Sequence, residues 1–276
     1  MRTVAVLSLK GGVGKTSVVL GLAGAALQRG IRTLVVDLDP QGNCTAALDP
    51  GVTKSTLVDV LATPTRSVLR SAISPSGWGE GLDLLVGAEE AEAHNQPVPD
   101  VTRLRWLDHA LSTLDEAAGD PSYRLVLLDC PPSLGLLTRS ALVAADRALL
   151  ITEPTIYSVA GVQRAFEAVQ HAREHNTQLQ TLGVVVNRVR ERSSEHIYRI
   201  NELREIFGPL VLPTVLPDRS AVQQAQGAGL PIQRWDTPGA REITMALDVL
   251  LARLVRTTQL RRRTAADMTT AEEAGV

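Results

Sequence analysis

Eight residues constrain this chain more than any others: Lys10-Gly11-Gly12-Val13-Gly14-Lys15-Thr16-Ser17, set between a short apolar run and a helical pattern. A phosphate chain needs several backbone N–H groups converging on it, and glycines let the main chain curl without side chains in the way. A helix opening at Gly14 adds unpaired N–H groups and the positive end of its dipole. Lys15 supplies a charge for the β- and γ-phosphates, and the Thr16 hydroxyl is suited to ligate magnesium. Gly11, Gly12, Val13 and Ser17 complete the cradle. A glycine-rich turn that merely contains a lysine does not account for strand, loop, Gly-Lys-Thr and helix together.

The rest of the chain repeats that order. Short β-branched or leucine-rich runs alternate with longer helical patterns, which predicts an α/β fold: a mostly parallel, twisted sheet with helices on both faces. The strand candidates are Thr3 to Leu9, Thr33 to Asp37, Leu82 to Val86, Leu125 to Asp129, Ala148 to Thr152, Leu182 to Asn187 and Val211 to Leu216. Their continuous apolar character suits strands covered on both sides. The helix from Gly14 carries Val18, Leu22, Ala25 and Ala26 inward and stops at Gly30, a good left-handed cap. A second helical stripe joins Leu104, Leu107, Leu111 and Leu114 and ends near Gly119, and a third runs from Ser158 to about His175. Between Asp49 and Pro121 frequent prolines and glycines predict irregular excursions around the sheet edge, not a separate domain. A single P-loop domain over 1–260 is expected. The end, 261–276, basic and then small and acidic, reads as a disordered tail.

Composition narrows the chemistry. The 28 Lys and Arg against 30 Asp and Glu give a net charge of -2, which excludes a globally basic nucleic-acid coat but not a local patch. Three Trp, three Tyr and two Phe are too few for rows of base-stacking rings, so any DNA contact falls on phosphates. Cys44 and Cys130 lack metal or disulfide spacing, and a reducing cytoplasm fits them. The N-terminus does not read as a signal peptide, and the longest run without a polar side chain, Val18 to Leu27, falls short of the roughly 20 residues that span a bilayer.

Leu9 stands where the general phosphate-loop pattern has its first glycine, and a lysine follows at position 10. Lys-Gly-Gly-Val-Gly-Lys-Thr thereby resembles the deviant phosphate loop of the ParA/MinD family of P-loop ATPases, nearest to the ParA-like partitioning members. The resemblance implies ATP and Mg2+ as ligands and a role for Lys10 across a nucleotide-sandwiched homodimer, where it would touch the other subunit's phosphates. A second cation there would offset charge spreading over the γ-phosphate oxygens. The run Asp37-Leu38-Asp39-Pro40-Gln41-Gly42-Asn43 resembles the family's first switch, which assigns Asp39 to hydrolysis and the magnesium shell and Asp37 to loop support. Leu125 to Asp129 followed by Cys130-Pro131-Pro132 resembles the magnesium-serving strand and second switch, with Asp129 in the metal shell. Thr152-Glu153-Pro154-Thr155 falls where the family begins a dimer-contacting helix. Asn187, Pro217 and Asp218 fall in its adenine-side segments.

Members of that family bind DNA without sequence preference as ATP dimers and release it when a ParB-like or cargo-adaptor protein stimulates slow hydrolysis. The resemblance therefore implies a cytoplasmic, nucleoid-associated ATPase that segregates or positions a chromosome, plasmid or other cargo. The candidate DNA surface is Arg188, Arg190, Arg192, Arg199, Arg204 and Arg219, with Arg253, Arg256 and Arg261 to Arg263 near the end. Glu191, Glu195, Glu202 and Glu205 interleave with the first cluster and give a competing reading, a solvated salt-bridged helix face. Asp218, Arg219, Ser220 and Ala221 also stand where many chromosomal members carry further basic residues.

Two other function classes remain open: a MinD-like membrane switch and a nucleotide-sensing regulator with negligible turnover. Leu247 to Arg263 is apolar and then basic, as a surface-lying helix would be. Leu250, Leu251, Leu254 and Val255 suffice to pack it on the domain instead, and no stable membrane association is expected. His171 and His175 are four residues apart without a third ligand, which suits an exposed helix face better than a metal site. Gly77-Trp78-Gly79 carries no evident chemistry.

Overall fold

Five of the seven strands are buried along their whole length, as continuous apolar runs require: β1 Thr3–Leu7, β2 Thr33–Asp37, β4 Leu82–Leu85, β5 Leu125–Asp129 and β6 Arg147–Thr152. The two edges are β3, Ile73–Pro75, and β7, Gln180–Val186. A computed structural model describes residues 1–95, 101–114 and 123–273, with the side chains of the last helix given as far as Val255.

The sheet order is β3-β4-β2-β5-β1-β6-β7, parallel throughout except for the antiparallel pair β3 and β4. Side chains alternate between the faces. Val4 and Val6 pack with helix Lys15–Gln28 and the long last helix, Pro238–Glu273. Ala5 and Leu7 pack against the opposite layer, which includes helices Leu136–Ala144 and Ser158–Ala172. Each such leucine removed from water contributes about 2 kcal/mol, so the central strands anchor the loops at their ends. The loops after β1, β2, β5, β6 and β7 all leave from the carboxyl edge of the sheet. β1 and β6 are neighbours whose connections leave in opposite directions, toward β2 and toward β7, which makes their carboxyl ends the expected place for a ligand in a parallel sheet.

Several boundaries differ from the sequence reading. β1 stops at Leu7, β4 at Leu85 and β7 at Val186, while β6 begins one residue earlier, at Arg147. Val211 to Leu216 is not a strand. It runs beside β7 with isolated bridges Val184–Val211 and Val189–Pro217, because Pro213 and Pro217 have no N–H to continue a ladder. The stripe from Leu104 to Leu114 is divided at Arg105 into Val101–Leu104 and Trp106–Ser112; Gly119 lies outside the described residues. The third helix ends at Ala172. The proline-rich excursion contains four unanticipated elements among the described residues: helices Leu57–Ala62 and Arg66–Ala72, strand β3 and the short 3-10 helix Glu89–His94. The side chains of the expected tail, 261–276, lie outside the described residues.

Candidate functional site

Phosphate-binding geometry begins at the end of β1. Gly12 and Gly14 have φ of 78° and 85°, the left-handed region that disfavours side chains. A Cβ added at Gly11 or Gly12 would meet nothing within 4 Å, so this side of the loop is open. Helix Lys15–Gln28 starts with no side-chain cap and no acidic residue in its first turn. Its first N–H groups are thus left for an anion.

Opposite this helix end, Thr16 Oγ1 donates to Asp129 Oδ2 at 2.7 Å, joining the end of β5 to the phosphate loop. Cys44 Sγ lies 3.3 Å from the same carboxylate oxygen. Asp129 is fully buried and its Oδ1 has no partner. Burial, and then the charge of Asp37, push its carboxyl up to about 7, while Thr16 and Lys15 oppose the shift. Asp37 stands beside it in register on β2. It is held by the backbone N–H and hydroxyl of Thr45 at 2.7 and 2.8 Å, and burial raises its carboxyl to about 6. Asp37 Oδ1 is also buried without a partner. Two buried carboxylate oxygens lacking donors, next to a threonine hydroxyl and Lys15, fit a divalent cation that accompanies an anion.

Asp39 is nearly buried at the start of the first-switch loop, and its Oδ1 accepts from the Gln41 N–H at 3.1 Å. No direct bond joins it to Thr16 or Asp129 among those described. Lys15 is 6% exposed, close enough to influence Asp129. Lys10 is separate: its side chain is 45% exposed, and Nζ lies 3.5 Å from Glu153 Oε2. Arg188, with φ of 54°, donates to the other oxygen of Glu153 at 2.8 Å.

Asn187 follows β7 and reaches the phosphate loop. Its Nδ2 donates to Val13 O at 2.7 Å, and a Cβ on Gly14 would approach that nitrogen to 2.4 Å. In this arrangement Asn187 braces the loop from below. Pro217 and Asp218 line one cleft with Ser17, Asn187 and Gln226. The described residues contain no cluster of three His, Cys, Asp or Glu able to hold a metal by themselves. Cys44 and Cys130 are free, buried thiols.

The candidate DNA arginines are mostly occupied. Arg188 pairs with Glu153 and Arg190 with Asp218 at 2.8 Å each. Arg199 pairs with Glu195 and Glu202, and both Nε and Nη2 of Arg219 bond Glu242, at 2.7 and 2.8 Å. Arg192 and Arg204 are exposed. The side chains of Arg256 and Arg261 to Arg263 lie outside the described residues. On the last helix Leu250, Leu251 and Leu254 are buried against the domain, as the packing reading expects. No helix among the described residues is long and apolar enough to cross a membrane.

Motif spacing did not identify the Cys44 contact, the Glu153 bridge or the Ser17–Gln226 bond. Cys44 could have been found from its place next to Asn43, at the end of the first switch. Gln226 has no local signal, since 209 residues separate it from Ser17.

Comparison with known proteins places the chain by its sequence and by its fold. A family profile described as an AAA domain matches residues 1–181. The sporulation initiation inhibitor protein Soj of Bacillus subtilis is 31% identical over 254 residues, covering 90% of this chain and 96% of Soj. MinD from Pyrococcus horikoshii, solved with Mg-ADP, superposes with a TM-score of 0.70 at 26% identity, covering 90% of this chain and 95% of MinD. An ATP complex of a McdA variant from Cyanothece shares the fold with a TM-score of 0.79 at 21% identity, covering 91% of this chain and 96% of McdA.

Proposed function

This chain belongs to the ParA/MinD family of P-loop ATPases, and from that premise we propose that it binds ATP with magnesium, pairs with a second copy across the nucleotide, and grips DNA without sequence preference in that state. A ParB-like or cargo-adaptor partner then speeds slow hydrolysis and releases it, a cycle able to position a chromosome, plasmid or protein assembly on the nucleoid. The observation that carries the reading is the Thr16–Asp129 bond of 2.7 Å beside an uncapped helix N-terminus. Magnesium would be held by Thr16 with Asp129 and Asp39 around it, and supplies charge neutralisation for the phosphates.

The chain's own residues do the rest. The N–H groups of 11–17 and the Lys15 ammonium orient the phosphates. Asp39 orients the attacking water and accepts its proton. Among the described residues the Lys10 ammonium meets Glu153 alone, in an exposed contact, so it is free to exchange that partner for a second copy's phosphate.

Sedimentation velocity with ADP, with ATP and with a slowly hydrolysed analogue tests the pairing, and gel shifts on unrelated duplexes test the grip. Dimers and retarded DNA are expected with ATP and the analogue only, and Lys10→Ala should stay monomeric with ATP bound. A monomer that turns over ATP at the same rate with or without Lys10 would overturn the reading.

A further inference from the structure

Gln226, on helix Ser220–Gly227, lines the same cleft as Asn187, Pro217 and Asp218 and has no part in the chemistry above. It is half-buried, and its Nε2 donates to Ser17 Oγ at 3.1 Å, one residue beyond Thr16. Most other polar groups lining the cleft are committed elsewhere: Asn187 Nδ2 to Val13 O, Arg188 to Glu153, Arg219 to Glu242, and Trp78 Nε1 to Gly229 O at 3.0 Å, while Gln223 stands exposed at the rim. Asp218 is partly neutralised by Arg190.

We propose that Gln226 selects adenine over guanine in this cleft, an inference that rests on the nucleotide-binding reading above. With the amide nitrogen engaged by Ser17, the carboxamide offers its oxygen, an acceptor, to a ligand. Adenine carries a donor amino group on C6, where guanine carries an acceptor carbonyl. An acceptor in the wall satisfies the first and faces the second lone pair to lone pair. Unpaired polar groups of this kind, more than differences in size, are what separate nearly isosteric ligands. Ser17 is then the residue that decides which end of the carboxamide is presented.

The test is the ratio of GTP to ATP dissociation constants for the full chain with magnesium, by calorimetry or fluorescence competition. Wild type should favour ATP. Gln226→Glu, which only accepts, should keep that preference. Gln226→Leu should lower the ratio about tenfold, chiefly by weakening ATP, and Ser17→Ala should lower it in the same direction by freeing the amide. Gln226→Lys, which only donates, should move the preference toward GTP. A ratio unchanged in Gln226→Leu and Gln226→Lys would overturn the proposal, as would a ratio that moves with Asp218→Asn alone. Equal wild-type affinity for ATP and GTP would sink the selection and leave the nucleotide reading standing. Binding of neither would remove both.

Discussion

At the phosphate end of the sheet, charged groups are buried and short of partners, whereas along 188–219 arginines are largely exposed and already paired. Asp37 and Asp129 each keep one carboxylate oxygen without a donor inside the protein, and both carboxyls are pushed upward by burial. Arg188, Arg190, Arg199 and Arg219 instead meet carboxylates of the same chain. A region short of counter-charge is built for a ligand that brings it. A self-neutralised region must exchange existing ion pairs for new ones, so its net gain on binding is smaller.

The largest expected effect is at the first region: Lys15→Ala should weaken ATP by at least about 100-fold, roughly 2.7 kcal/mol, in a direct binding assay. Retained tight affinity would mean that the loop and its helix dipole hold the phosphates unaided. Next, Asp39→Ala should keep ATP binding but lower turnover by about 100-fold, in the range lost with a positioned acid or base, and accumulate dimers in sedimentation. Undiminished phosphate release in that variant would place water activation elsewhere.

In the second region the expected change is smaller. Arg190→Ala with Arg192→Ala should weaken every DNA sequence alike and reduce the slope of log affinity against log salt by about 2. An unchanged slope would confine this region to internal ion pairing and move the DNA surface elsewhere.

The smallest effect separates the regions by acid titration. A carboxyl whose folded pKa is raised contributes its full stability below the unfolded value of 3.8, and that contribution is lost as pH rises through the folded value. Melting of the magnesium-free chain should therefore move to lower temperature between pH 4 and pH 7, through about 6 for Asp37 and about 7 for Asp129. Asp129→Asn should flatten that fall, while Arg190→Ala should leave it unaltered. A profile that rises over this interval would show other groups governing it.

Much of the site was legible because its residues are local or end a recognisable run. Lys10 to Ser17 is one contiguous loop, and Asp37 and Asp129 terminate apolar strands whose period and composition mark them as buried. Val211 to Leu216 misled for an equally local reason: its apolar residues suit a strand, but Pro213 within the run and Pro217 just after it have no N–H, and the segment makes only isolated bridges. The helices at 57–62 and 66–72 were missed because six- and seven-residue elements carry too few turns to show a period.

From its own order of residues the chain established a parallel sheet, a phosphate-binding loop on β1 and acidic residues at the ends of β2 and β5. Backbone geometry and strand burial depend on near neighbours, so a linear text records them. Which charges remain available is a different matter. The Glu153 partner of Lys10 and Arg188, the two donors converging on Asp129 Oδ2, and the Gln226 amide on Ser17 join residues more than thirty positions apart. Electrostatic and hydrogen-bond satisfaction acts over a few ångströms of space, and only the folded packing decides which groups share those ångströms.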